Sequence, residues 1–245
     1  MKAMIFAAGL GTRLKPFTDN MPKAMVPVDG KPLLWHAIRK LKNSGFDEII
    51  INVHHFADQI IDYVKENDNF GIRIEFSDER EQLLDTGGGI KKASRFFDDG
   101  KPFLIHNVDI FSNIDLNNFY NRHAGTDAIS TLLVSKRETS RYLLFDDDDH
   151  LKGWVNKTNG EVKSSISGFH PGRYHQYAFS GIHLLSPKVF RLMDAFPDRF
   201  SIIDFYISIS SNQHVRAYHP DNLELLDVGK PEALVAAKQF LERSD

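Results

Sequence analysis

Along its first 125 residues the chain alternates short apolar runs with amphipathic stretches, and this alternation limits the possible folds more than any other feature. "KAMIFAA", "FDEIIINV", "IRIEFS" and "PFLIHNVD" read as buried strands. "PLLWHAIRKLKNSG" reads as a helix: Pro32 suits its first turn, Leu34, Ile38 and Leu41 recur on one face, and Gly45 stops it. "ADQIIDYVKEN", with Ile60, Ile61 and Val64, makes a second helix; "GIKKASRFF" and "LNNFYNRHA" make two more. The pattern predicts an α/β, Rossmann-like three-layer fold around a mixed, mostly parallel sheet.

After Asp127 the rhythm changes. "AISTLLVS" reads as a strand and "YLLFDDDDHLKGWV" as a hairpin, whose four-aspartate tip is a solvated turn rather than a cation site. A strand "YAFSGIHLLS", helices near 187–196 and 202–210, strands "HVRAYHP" and "LELLDVG", and a helix "PEALVAAKQFLERS" follow. With no repeat or linker, residues 1–245 are expected to form one domain, about 1–125 forming one half and about 126–245 a second half with a small β-rich lobe.

Composition removes several function classes. The net charge of −3 provides no general attraction for nucleic acid, so an anion site must be local. The absence of cysteine excludes disulfides, thiolate metal sites and a cysteine nucleophile. The apolar run at residues 3–8 is too short for a signal peptide, and no window reaches the ~20 apolar residues of a membrane span. The expectation is a cytoplasmic protein with neither nucleic acid nor membrane as partner.

The stretch "MIFAAGLGTRLKPFTDNMPKAMVPV" joins a strand to a glycine turn and then to fixed positive charge. It is not a P-loop, because no Gly-Lys pair is followed by serine or threonine. Nor is it a dinucleotide-binding turn: "GLGTRL" puts Leu14 where glycine or alanine is required, and prolines follow where a helix should. Gly9 and Gly11 alone are also compatible with a plain structural turn. Arg13 and Lys23, however, flank a stretch stiffened by Pro16, Pro22 and Pro27. Backbone N–H groups at 9–12 plus two fixed cations suit a polyphosphate better than a single carboxylate.

"AAGLGTRLKPFTDNMPKAMVPVDGKPLL" resembles the signature of the sugar-1-phosphate nucleotidyltransferases, G-x-G-T-R-L-x-P-x-T…P-K…P-V…P-L. The resemblance continues in "LLDTGGGI", "NVDIF", "FSGIH" and "LLDVGKPEAL". "TGGG" and the short chain most resemble the N-acetylmuramate-1-phosphate uridylyltransferases of cell-wall recycling, followed by guanylyltransferases acting on mannose or heptose 1-phosphate. The resemblance implies Mg²⁺-dependent transfer of a nucleotidyl group to a sugar 1-phosphate by a monomer or small homo-oligomer, with a nucleotide-binding first half and a sugar-binding second half.

By the same resemblance, Ala7, Ala8 and Gly9 face the nucleoside, Gly11, Thr12 and Arg13 hold the β- and γ-phosphates, and Lys23 reaches the α-phosphate. Arg13 and Lys23 are the catalytic candidates. Glu81 or Gln82, with Gly87, match the base-selecting positions loosely. Asp109 and Asp227, each at a strand end, are expected to share one Mg²⁺. The family's glutamate-lysine pair before a proline is absent; the nearest stretch, "GWVNKTNGE", offers Asn156 and Lys157 for the sugar phosphate. Gly181 of "FSGIH" matches the family's glycine beside the sugar. His54 and His55 read as surface or packing residues. Val108 departs from the glycine that relatives carry before the metal aspartate, which keeps a second reading open: a non-catalytic protein that binds nucleotide sugar and regulates.

Overall fold

The fold is that of a computed structural model, which describes residues 1–243. In chain order its strands are β1 (Lys2–Phe6), β2 (Pro27–Val28), β3 (Lys31–Pro32), β4 (Glu48–Val53), β5 (Arg73–Asp78), β6 (Phe103–Asn107), β7 (Ile110–Ser112), β8 (Ser130–Ser135), β9 (Arg141–Phe145), β10 (Leu151–Asn156), β11 (Val162–Lys163), β12 (His175–Leu185), β13 (Val215–Tyr218) and β14 (Leu225–Asp227). The helices are α1 (Leu33–Asn43), α2 (Ala57–Glu66), α3 (Asp85–Lys92), α4 (Leu116–Ala124), α5 (Val189–Met193), α6 (Ile202–Ile209) and α7 (Glu232–Glu242).

Ten strands form the main sheet, in the order β11-β10-β9-β12-β6-β1-β4-β5, with β8 and then β13 added along β12. β6, β1, β4 and β5 run parallel, so their C-terminal ends share one edge. Ligands of open α/β sheets bind outside that edge. Alternation along each strand feeds two cores: Ala3, Ile5, Ile49 and Ile51 pack beneath α1, α2, α4 and α7, while Met4, Ile50 and Ile105 pack beneath α3, α5 and α6. The three-layer α/β expectation is met.

The long strand β12 connects the two halves. Its residues 182–185 pair antiparallel with β6, and residues 175–177 continue past β6 to pair with β9. The β9–β10–β11 lobe is thus held out beside the ligand edge, and the aspartate run forms the expected hairpin tip.

One element departs from the sequence reading. α3 starts at Asp85, not at Gly89, so three glycines lie inside a helix. Their usual cost of roughly 1 kcal/mol each is accepted because the helix is pressed close to its neighbours. A Cβ at Gly87 would overlap the Phe200 ring, and one at Gly88 would overlap the Asp198 carbonyl. β14 does not join the main sheet; it pairs with β7 in a two-stranded ribbon, Asp227 opposite Ile110.

Candidate active site

Beyond the C-terminal edge of β6, β1, β4 and β5 lies a pocket of about 380 Å³, walled by residues from six separate parts of the chain. One wall is the turn after β1. Its first two N–H groups are turned inward: Asn52 Oδ1 accepts from Ala7 N–H at 2.7 Å and from Ala8 N–H at 3.2 Å. The N–H groups of Gly9, Leu10, Gly11 and Thr12 have no protein acceptor among the described residues. Consecutive free N–H groups in a tight turn make an anion-binding concavity.

The turn leads through Thr12–Leu14, a single 3₁₀ turn, to the proline-stiffened stretch. Thr18 Oγ1 donates to Gly11 O at 2.9 Å and ties the stretch back to the turn. Lys23 then reaches into the pocket and forms an ion pair with Asp109 Oδ2; the two side chains are only 15% and 8% exposed.

Asp109 follows the end of β6, and Val228 N–H donates to its carbonyl at 2.8 Å. That bond and the β7–β14 ribbon set Asp227 beside Asp109. Burial, then the Asp109 charge, raise the Asp227 carboxyl above its ordinary range, while Lys23 and Arg13 oppose the rise. Arg13 also lies against Gly229, close to Asp227. Two carboxylates and two cations therefore crowd one partly buried corner. No group of three or more histidine or acidic residues suited to a metal occurs among the described residues.

Val108 is buried in the core beneath α1 and α7 and also touches the pocket. Gly181 of β12, at φ 80°, lies so close to Asn107 that a Cβ there would overlap the Asn107 amide. Asn107 is itself part of the pocket wall.

The opposite wall is the entry to α3. Leu83, Asp85 and Thr86 line the pocket, together with Arg199. Thr86 Oγ1 accepts from Ile202 N–H at 2.9 Å, and Gly87 N–H donates to Phe200 O at 2.9 Å. These bonds place Arg199 on the rim, with no ion pair among the described residues.

Several candidates from the sequence lie elsewhere. Gln82 and Glu81 open on a neighbouring cavity with Lys91 and Asp198. Gly87 is buried under Phe200, so its missing side chain serves helix packing rather than approach to a base. Asn156 ends β10 and Lys157 begins the β10–β11 turn; Asn156 Oδ1 accepts from Thr158 N–H at 2.9 Å, and neither residue lines the pocket. His54 Nδ1 meets Glu79 O at 2.7 Å and the His55 ring packs on Phe56, so both histidines are structural.

The sequence reading missed Asn52, Glu79, Asn107 and Arg199. Asn52 had a signal: it is a lone amide at the crevice end of the apolar run "IIINV". Arg199 had none, because only tertiary packing carries residue 199 to the entry of α3.

The comparisons with known proteins agree with this geometry. The family model described as nucleotidyl transferase matches residues 2–244. The N-acetylmuramate alpha-1-phosphate uridylyltransferase of Caulobacter vibrioides is 31% identical over 247 residues, 98% of this chain and 96% of that protein. The enzyme of the same name from Neisseria meningitidis is 45% identical over 116 residues, 47% of this chain and 49% of that protein. The structure of HddC from Yersinia pseudotuberculosis complexed with GMP-PN superimposes with a TM-score of 0.76 at 26% identity, covering 98% of this chain and 99% of that one. The chain belongs to the nucleotidyl transferase family, and within it to the sugar-1-phosphate nucleotidyltransferases.

Proposed function

We propose that this protein transfers a uridylyl group from UTP to N-acetylmuramate 1-phosphate, releasing pyrophosphate, in the cytoplasm and in the service of the cell wall. One observation carries the choice of substrates: the 31% identity to the Caulobacter vibrioides uridylyltransferase extends over nearly the whole of both chains.

An oxygen of the sugar phosphate attacks the α-phosphorus in line. The new P–O bond forms as the bond from that phosphorus to the β-phosphate oxygen breaks, and pyrophosphate leaves. The attacking phosphate is already ionised, so the barrier is mainly charge repulsion and alignment. The free N–H groups at 9–12 and Arg13 bind the β- and γ-phosphates, Lys23 stabilises charge growing on the α-phosphate, and Leu83 and Thr86 bound the nucleoside. Arg199, on the rim, is positioned to bind a second phosphate. The Asn107–Gly181 contact forms the sugar side.

The corner formed by Asp109 and Asp227 fits Mg²⁺. Asp109 is buried, and desolvation, then the Asp109 charge, raise the neighbouring Asp227 carboxyl; a divalent cation relieves both, and Mg²⁺ is usually held by one or two carboxylates plus substrate phosphates. When bound it supplies charge neutralisation to the phosphate oxygens.

Pyrophosphate release from the four ribonucleoside triphosphates, each paired with a panel of sugar 1-phosphates, tests the reading. UDP-sugar formation from N-acetylmuramate 1-phosphate is expected. GDP-sugar formation from mannose or heptose 1-phosphate would establish the second reading, which the likeness to HddC complexed with GMP-PN favours. Nucleotide-sugar binding without any pyrophosphate release would point to a non-catalytic regulator.

A further inference from the structure

The two walls that face the nucleoside come from distant parts of the chain: the turn at Ala7–Ala8 and the Leu83–Thr86 entry to α3. Two buried side chains connect them. Asn52, 2% exposed, holds both Ala7 and Ala8 N–H on its Oδ1 and donates through Nδ2 to Glu79 Oε1 at 2.8 Å. Glu79 is 0% exposed, and its Oε2 accepts from Leu84 N–H at 3.1 Å. An unbroken line of hydrogen bonds thus runs from one wall to the other beneath the pocket.

Among the described residues Glu79 has no cation partner; its two oxygens accept from neutral donors, the Asn52 amide and the Leu84 N–H at the entry to α3. The surroundings keep the pair in place. A Cβ at Gly89 would fall 2.9 Å from Glu79 Oε1 and 3.4 Å from Asn52 Nδ2, so the third glycine of "TGGG" leaves room for it. His54 holds the Glu79 carbonyl from the other side.

We propose that Asn52 and Glu79 are positioning residues that set base discrimination by fixing the spacing between the Ala7–Ala8 wall and the Leu83–Thr86 wall. A planar base held between two walls is distinguished from its competitors by donors and acceptors whose useful range is a few tenths of an ångström. A link that holds the walls at one separation therefore selects the base without touching it. The inference rests on the reading of this pocket as the nucleotide site.

Its test is nucleotide binding rather than turnover, so that it stands or falls apart from the substrate assignment. Dissociation constants for the four ribonucleoside triphosphates are measured by calorimetry on the full chain without sugar phosphate. Glu79→Met and Asn52→Leu should weaken the preferred triphosphate at least tenfold and shrink its preference over the other three by a similar factor. The dissociation constant of inorganic tripolyphosphate should change less than threefold, because Arg13 and Lys23 are untouched. The paired exchange of Asn52→Asp with Glu79→Gln reverses donor and acceptor between the two side chains while keeping acceptors for Ala7, Ala8 and Leu84 N–H, so it should restore most of the preference, and Gly89→Ala should mimic the loss. If Glu79→Met or Asn52→Leu fails to fold, Gly89→Ala and Asn52→Asp carry the same comparison. A uniform loss across all four triphosphates with the preference intact, or a wild-type protein with no preference, would overturn the proposal.

Discussion

Replacing Lys23 by methionine keeps the aliphatic stem and removes the cation that faces Asp109. In the folded protein that cation lies against a carboxylate that is 8% exposed, with Asp227 adjacent. Its loss leaves two neighbouring acids opposed by Arg13 alone. Removing one partner of a buried pair costs about 3–5 kcal/mol, and the residual solvent access of Lys23 argues for the lower end. At about 2–4 °C per kcal/mol for a chain of this size, melting should fall by about 6–12 °C. Turnover should fall on the order of a hundredfold, the effect of about 3 kcal/mol of lost charge stabilisation in the transition state. Thermal melts and pyrophosphate release on the single variants and on Lys23→Met/Asp109→Asn separate the two effects. The double variant should regain at least about 1 kcal/mol of stability relative to additivity and none of the activity. A single variant that melts within about 2 °C of wild type and turns over within about threefold would refute the reasoning.

Asp109→Asn and Asp227→Asn should each abolish Mg²⁺-dependent turnover, and the double variant should be little worse than either single, because both carboxylates serve one ion; additive losses in steady-state assays would count against a shared site. Gly181→Ala forces a side chain to φ 80° and into the Asn107 amide, costing about 1–2 kcal/mol in backbone strain alone; melting should drop and KM for the sugar phosphate should rise, and an unchanged KM would remove Asn107 from the sugar side. Burial lowers His123 to about 4 and His183 to about 3, from an ordinary 6.5. Because both bind a proton more weakly when folded, their contribution is complete above pH 6.5 and is lost as pH falls toward 4. Unfolding free energies from urea titrations should drop over that window, by up to about 3 kcal/mol for His123, and His183→Gln should flatten the drop; equal curves for wild type and variant would contradict it.

How much of this was legible in the chain depends on the range of the interaction. The strand readings around "KAMIFAA" and "PFLIHNVD" and the helix at "PLLWHAIRKLKNSG" hold, because each rests on a period contained in a few neighbouring residues. The start of α3 was misread because glycine's local cost is outweighed by contacts with Phe200 and Asp198, which lie far along the chain. The sequence reading assigned Lys23 to the α-phosphate; its ion pair with Asp109 gives it a part in stability as well. Asn156 and Lys157 were chosen by proximity to a missing motif, and the structure puts them where β10 ends and a hairpin turn begins.

By itself the sequence determined the α/β class, the family, and the turn whose glycines and cations suit a polyphosphate, since short-range periodicity and an ordered motif encode all three. The tertiary structure decided which side chains meet. Asp227 reaches Asp109 only through the β7–β14 ribbon, Arg199 reaches the pocket only because Phe200 packs on Gly87, and Asn52 faces Glu79 only because β4 and β5 are paired. The physical reason is that a pocket at the edge of a parallel sheet is built from strand ends brought together by long-range hydrogen bonds and packing, and no local window of residues contains both partners of such a contact.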